Sequence, residues 1–379
     1  MAGGPIVPGS YNPTMAAPLD VCIRGDGVVG RALALLLARD RLRVGLVASP
    51  NPPVADVRAY AMNDASRALL ESLRAWPGEP EATPVLRMDV HGDAGGFVQF
   101  SAQEQAMPAL AWIASAPALL ESLGQALRYQ PGVEILAEPR NAALTVVCEG
   151  KASATREALG VEYDVSWYPH HAIAARLTCE HPHDQVARQW FIDGDILALL
   201  PLGGALGNSA ALVWSVKPER AGELLALPPG QFEERLTQAS GAALGRLTLA
   251  SERARWPLQR ATASRWCGPG WVLAGDAAHT VHPLAGQGLN LGLADVIELA
   301  RVLHAREYWR PLGDTRLLRR YERARKADVA AMQLATSGLQ QLFSHDSRTA
   351  GLVRNWGMRG FEHSGPVKQW VARQAAGRF

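Results

Sequence analysis

The sequence carries no block of like charge. Its 38 lysines and arginines stand against 36 aspartates and glutamates, a formal +2 over 379 residues. That excludes a nucleic-acid arm and leaves small molecules as the expected partners. Cysteine is scarce. Cys22, Cys148, Cys179 and Cys267 form no C-x-x-C pair and have no histidine at metal-ligand spacing, so no metal site is expected and the thiols read as buried and reduced, which fits a cytoplasm. His181 and His183 flank a proline and read as a solvated loop rather than a metal pair. No stretch approaches the roughly 18 to 20 apolar residues that cross a bilayer. The start, MAGGPIVPGSYNPTMAAPLD, lacks both positive charge and an apolar run, so it does not read as a secretory signal. Its Gly, Pro, Ser and Asn content suggests a disordered lead over residues 1–18, with Met15 as an alternative start. What remains is 48% hydrophobic and 20% charged, a globular composition sufficient for one large or two ordinary cores.

Glycine is plentiful, and its placement matters. DVCIRGDGVVGRALALLLARDRLRVGLVAS, residues 20–49, reads as strand, glycine turn, apolar helix and second strand. Gly25, Gly27 and Gly30 match G-x-G-x-x-G: the spacing permits a tight turn, close approach of a pyrophosphate and packing of helix on strand. The helix from about Val29 to Arg39 would turn its free N–H groups toward a phosphate. Two features depart from that pattern. The acid expected about 20 residues on is absent, the second strand ending in Val47, Ala48 and Ser49, and Asp26 adds a negative charge inside the turn. Ser49 or Asn51 is left as the ribose contact.

A second glycine-rich unit lies about 250 residues later. WVLAGDAAHTVHPLAGQGLNLGLADV, residues 271–296, is an apolar strand ending in Gly275 and Asp276, then Gly286, Gln287 and Gly288 ahead of a helix from about Leu289 to His304. An acid at a strand's carboxyl end faces the ligand crevice of a doubly wound fold and can accept hydrogen bonds from polyol hydroxyls; a helix N-cap is the other reading. Between the two units, HAIAARLTCE, ARQWFIDG, ILALLPLG and ALVWSV read as an antiparallel sheet. A helix over Ala116 to Tyr129, helical sequence beyond Pro311 and a last helix from Pro366 to Arg373 complete the pattern.

The GDAAH of Gly275 to His279, with Pro283 after it, closely resembles the second fingerprint of the FAD-dependent aromatic hydroxylases. DVRAYAMNDASRALLESL, LALLPLGG, ALVWSV and RRYERARKADVAAMQLATSGLQQLF resemble their ubiquinone-biosynthesis branch, from about Asp20 to the C-terminus. The resemblance implies a mixed α/β fold, with a Rossmann-like FAD-binding domain (19–88, 114–162 and 253–310) interleaved with an antiparallel-sheet substrate domain (89–113 and 163–252) and C-terminal helices (311–379). It implies that Asp276 holds the ribityl or phosphate region, that Gly286, Gln287 and Gly288 lie beside the flavin ring, and that His279 and Pro283 shape its pocket. His282 reads as either pocket or loop packing. Arg58 matches an arginine placed near the flavin, a surface ion pair being the other reading, and Glu149 stands where the family has an Asp-Gly motif.

The activity so implied is hydroxylation of a polyprenyl phenol: NAD(P)H reduces FAD, O₂ adds, and a flavin hydroperoxide delivers oxygen to the ring. No residue stands out as the catalytic base. A polyprenylated substrate implies contact with the inner face of a membrane or with a biosynthetic assembly; Leu317, Leu318, Leu339, Leu342 and Phe343 beside Arg319, Arg320, Arg323 and Arg325 are the candidate surface, or else ordinary packing with a charged face. A different FAD-dependent oxidoreductase on the same fold, and a weakly binding or non-catalytic member kept as an assembly component, are the alternatives.

Overall fold

A computed structural model describes residues 18–49, 56–92, 95–203, 206–281 and 287–344. Residues 1–17, Asn51, His282, Pro283, Gly286 and the stretch from Pro366 to Arg373 lie outside them. The chain opens as the glycine spacing predicts: β1 (Leu19–Arg24), α1 (Val28–Arg39) and β2 (Val44–Val47). In α1 the residues Gly30, Ala32, Leu33, Leu37 and Ala38 are buried, and Arg39 in the last turn faces the negative end of the helix dipole.

There follow β3 (Ala59–Met62), α2 (Asp64–Ser72), β4 (Ala82–Val85), β5 (Arg87–His91), β6 (Phe97–Ser101), β7 (Ala111–Ser115), α3 (Ala116–Arg128), β8 (Val133–Leu136), β9 (Ala142–Val147) and α4 (Ala154–Ala158). Asn63, Ser115 and Ser153 start α2, α3 and α4, each side chain accepting from the backbone N–H three residues on. Then come β10 (Tyr163–Cys179), β11 (Val186–Ile192), β12 (Asp195–Leu202), β13 (Ser209–Val216), α5 (Pro218–Ala226), α6 (Pro229–Ala239), β14 (Leu247–Leu249) and β15 (Ala254–Ala263). The chain closes with β16 (Cys267–Gly268), β17 (Trp271–Leu273), a 3-10 turn (Gly275–Ala277), β18 (His279–Thr280), α7 (Gln287–His304) and α8 (Thr315–Ser344).

Two sheets carry the architecture. One has the order β16-β17-β9-β1-β2-β8 and is parallel except for β16, so β1, β9 and β17 end side by side at Gly25, Cys148 and Ala274. The other is nine-stranded, with the order β18-β15-β10-β13-β12-β11-β5-β6 and β14 beside β10, antiparallel except where β11 meets β5. A small sheet, β3-β7-β4, completes the set. The fold is mixed α/β, as the sequence implied.

In the large sheet, period-two alternation sorts the faces. Ile173, Ala175, Leu177, Leu197, Leu199, Leu212 and Trp214 pack with Ala221 and Leu224 of α5 and Phe232 and Leu236 of α6. The opposite face turns short side chains outward. The long strand β10 shifts register between Trp167 and His171, where Pro169 has no N–H to give a ladder.

The structure departs from the sequence reading in three places. Helices α5 and α6 were not expected. Strand β15 pairs along β10, so the large sheet reaches into the stretch assigned to the FAD-binding domain, because β10 is long enough to offer β15 a partner on both sides of its bulge. Leu317 and Leu318 are fully buried, and Arg325 is buried too, which removes them from any membrane- or assembly-facing surface; Arg319, Arg320 and Arg323 stay exposed. Among the described residues no helix is long and apolar enough to cross a membrane.

Candidate active site

The carboxyl ends of β1, β9 and β17 open onto a cavity of about 520 Å³ that the small-residue face of the large sheet closes from the other side. Its first wall is built by glycine. Gly25 has φ +108°, and a Cβ there would lie 2.4 Å from the Cys148 carbonyl oxygen; a Cβ on Gly30 would lie 1.9 Å from the Gly25 oxygen. Any side chain at either position breaks the turn. Gly27 differs: a Cβ there meets nothing within 4 Å, because the position faces the cavity. It is the N-cap of α1, no side chain caps it, and the first turn holds no acid, so the N–H end of the helix is left to an anion.

Asp26 does not oppose that anion with a free charge. Arg31 donates from Nε to the Asp26 carbonyl at 2.6 Å, reaches its carboxylate at 3.5 Å and donates to the Leu120 carbonyl at 2.8 Å. Glu149 is likewise committed. It accepts from Ser153 Oγ at 2.7 Å and from Thr155 N and Oγ1 at 3.0 and 2.5 Å, and pairs with Arg24 at 3.1 Å. Burial pushes its pKa up, but the hydrogen bonds from Thr155 and Ser153 and the Arg24 charge hold it below the usual range. The extra methylene of Glu149 lets it cap α4.

Asp276 lies in the 3-10 turn after β17 and lines the cavity. No described residue donates to its carboxylate, and burial raises its pKa against the opposing fields of Lys151, His279 and Arg58. The turn is fixed through its backbone. Tyr163 Oη donates to the Asp276 carbonyl at 2.8 Å and lies 2.9 Å from Thr280 Oγ1. Arg156, stacked over the Tyr163 ring at 3.7 Å, donates to the Ala277 carbonyl at 3.2 Å. Gly275 has φ +63° and its N–H donates to Asp295 Oδ2 at 2.8 Å.

Asp295 is the residue the sequence reading missed. Fully buried on α7, it also bonds His279 Nε2 at 2.7 Å and accepts from Arg325 Nε at 2.7 Å. Burial alone would raise its pKa; His279 and Arg325 bring it below the usual value. His279 stacks on Trp266 with ring centres 4.9 Å apart and does not line the cavity. Its part is to hold the 3-10 turn from behind. Asn290 was also missed: it accepts from Asn63 N at 3.0 Å and donates to the Ala61 carbonyl at 2.8 Å, tying α7 to β3 and α2. Asn290 and Asp295, polar residues among the apolar positions of the helix LNLGLADVIELA, were the available signal.

Gly288, in the first turn of α7, also faces open cavity, with nothing within 4 Å of a would-be Cβ, and Gly292 lets α7 lie against Val29 of α1, 2.8 Å from a would-be Cβ. Gln287 begins α7. Arg58 satisfies both of its readings: it lines the cavity and is bound bidentately to Asp56 at 2.9 and 2.6 Å, which raises its pKa. The arrangement sets Gly27, Arg58, Gly275, Asp276 and Gly288 on one cavity, with Gly25 and Gly30 packed inside the β1–α1 turn and His279 behind the 3-10 turn.

A family model described as an FAD binding domain matches residues 137–336. The 3-demethoxyubiquinol 3-hydroxylase of Escherichia coli is 32% identical over 95% of this chain and 99% of its own length. The chain belongs to the FAD-dependent hydroxylase family of ubiquinone biosynthesis. Ubiquinone hydroxylase UbiL of Rhodospirillum rubrum is 30% identical over 94% of this chain and 89% of its own. The fold is shared with PqsL of Pseudomonas aeruginosa, a probable FAD-dependent monooxygenase, at TM-score 0.75 and 22% identity, over 89% of this chain and 99% of that one. FAD is therefore the cofactor, and the residues present fit it: α1 offers an uncapped N-terminus for the pyrophosphate, Asp276 an unpartnered carboxylate for ribityl hydroxyls, and Gly288 open space for a flat ring.

Proposed function

We propose that this chain hydroxylates the aromatic ring of a polyprenyl phenol in ubiquinone biosynthesis, with NAD(P)H as reductant and O₂ as the source of oxygen. One observation carries the reading: a single cavity joins the glycine-lined end, suited to a phosphorylated cofactor, to a wall of Ala172, Ala174, Ala187 and Ala198 suited to an apolar ring. Bound FAD, once reduced, supplies the activation of O₂ that ring hydroxylation needs. The chain's own residues bind, orient and keep the site dry. The N–H end of α1 at Gly27 would hold the pyrophosphate, the Asp276 carboxylate would accept from the ribityl chain, and Gly288 would leave room for the flavin ring. Asp295 keeps the Gly275 N–H, and with it Asp276, in place. The aliphatic wall excludes water, which would otherwise divert activated oxygen from the ring. Arg58 sits beside Tyr60, whose phenol burial raises in pKa, so Tyr60 stays neutral. Asp26 is paired with Arg31 and Glu149 with Arg24, so neither presents an unopposed negative charge to the cofactor's phosphates. The substrate's tail places the reaction at the inner face of the membrane, met from the cytoplasm at the protein surface.

Purified protein tests the reading. A yellow preparation, NAD(P)H oxidation stimulated by the phenol and a product heavier by one oxygen are expected. The demethoxyubiquinol named for the Escherichia coli relative is the first substrate to try. Colourless protein that cannot be reconstituted with FAD would end it.

A further inference from the structure

The large sheet brings no charged side chain to the cavity lining; Arg176, two residues along β10 from Ala174, instead donates to the Arg58 carbonyl at 2.7 Å. The charged residues lining the cavity are Asp56, Arg58, Lys151 and Asp276, and none of them lies on a strand of that sheet. Its floor is mostly apolar, with Ala172, Ala174, Ala187 and Ala198 among larger residues such as Ile196, Leu200 and Val213. Register pairs Gln189 with Ala198, Ala198 with Val213 and Val213 with Ala174, a row across β11, β12, β13 and β10. Within this row Gln189 alone has a polar side chain. It lines the cavity, is half-buried, and its amide has no hydrogen-bond partner among the described residues. Two residues along β13 from Val213, on the same face, Ser215 also lines the cavity; it is 94% buried and its hydroxyl likewise has no partner among the described residues. Strand spacing and rise set the two backbones about 12 Å apart. Side chains leaning in from each end leave room between them for one ring and its hydrogen bonds.

An unpartnered amide and a buried hydroxyl on an apolar floor each cost free energy when no ligand is there to meet them. We infer that Gln189 and Ser215 are specificity-determining residues that hold two oxygen substituents of the aromatic substrate from the sheet side, Gln189 donating or accepting as the substituent requires. The inference rests on the reading of the cavity as an aromatic-ring site. It selects neutral oxygen functions, hydroxyl or methoxy, over a carboxylated ring, because the row from Gln189 to Ala174 and the neighbouring Ser215 place no cation against a desolvated carboxylate.

Titrating the FAD-loaded protein with 2-methoxyphenol, toluene and benzoate, and following the flavin absorbance, measures ring binding without turnover. Gln189→Leu should weaken 2-methoxyphenol about tenfold and leave toluene unchanged or tighter, with Ser215→Ala giving a smaller loss in the same direction. Gln189→Met keeps length and flexibility should the leucine variant fold poorly, and it should behave alike. If both Gln189 variants bind 2-methoxyphenol as tightly as the parent, or if the parent binds benzoate best, the inference is overturned. A ring preference that depends on Gln189 in a protein that hydroxylates nothing supports the inference and removes the activity reading.

Discussion

One wall of the cavity is made by deleting side chains and the other by shortening them. On the parallel-sheet side Gly25 and Gly30 are so closely packed that a single added carbon would collide with backbone. On the large-sheet side alanines alternate with core leucines and tryptophans, and the space above them is open. The first wall is rigid because its tolerance is set by main-chain atoms. The second is adjustable because its tolerance is set by the ligand. Cofactor recognition and ring specificity are thus assigned to surfaces with different mutational stiffness.

Substitutions should expose that difference, beginning with the largest effect. Asp295→Ala leaves Arg325 and His279 without their buried partner and should cost about 4 kcal/mol of stability, read as a fall in the denaturant midpoint together with loss of flavin. Gly30→Ala should cost about 3 kcal/mol, since the Gly25 carbonyl cannot retreat without breaking the β1–α1 turn; a variant that keeps the parent's thermal midpoint would show the first wall to be softer than its contacts imply. Across the cavity, Ala198→Leu should leave the midpoint within a few degrees and the FAD affinity intact, yet raise KM for the ring substrate about tenfold. Equal losses of stability in Gly30→Ala and Ala198→Leu would erase the contrast.

Asp195 in the large sheet titrates in the opposite sense to Asp295 and Glu149. Asp195, at the start of β12, is buried and its pKa is pushed up to about 6 by desolvation, against the pull of Arg220 and Lys217. Its folded pKa lies above the unfolded value of 3.8, so the native state binds the proton more tightly. Stability from this group is full below pH 3.8 and is lost as pH rises through 6. Asp295 and Glu149 are lowered instead, and their contribution is lost as pH falls below the ordinary carboxylate range. Asp195→Asn should raise stability at pH 7 by about 1 kcal/mol and flatten the profile between about pH 4 and 6. A profile unchanged by that variant would assign the slope elsewhere. The smallest effect belongs to Gly27→Ala, where the added carbon meets only open space: a few tenths of a kcal/mol in stability, with weaker FAD binding by titration as its mark.

Legibility followed the range of the constraint. The β1–α1 turn and the Gly275–Asp276 turn could be read because close approach and left-handed backbone demand glycine within a few residues. The roles of Asp295, His279 and Arg325 could not, because the partners are 16 and 30 residues away and only the packing of α7 against α8 brings them together. The alternating strands showed two faces without saying which one met a ligand. Helices α5 and α6 went unread because KPERAGELLALPPGQFEERL is dense in proline, although Pro218 and Pro229 each stand at a helix start where proline is at home. Glu149 was read for a cofactor contact that its side chain, once folded, had already given to α4.

The length of β10 has a further consequence. Its 17 residues run from the tyrosine that steadies the flavin-side turn to the core beneath the helices, and between His171 and Thr178 each step decides which side of the sheet a residue serves. Dropping one residue there would exchange the two faces, sending Ile173 or Leu177 toward the ligand space and Ala172, Ala174 or Arg176 toward the hydrophobic interior. Only near Pro169, where pairing is already interrupted, does the strand have slack to absorb a gain or loss, so length changes among related chains should gather at that one joint.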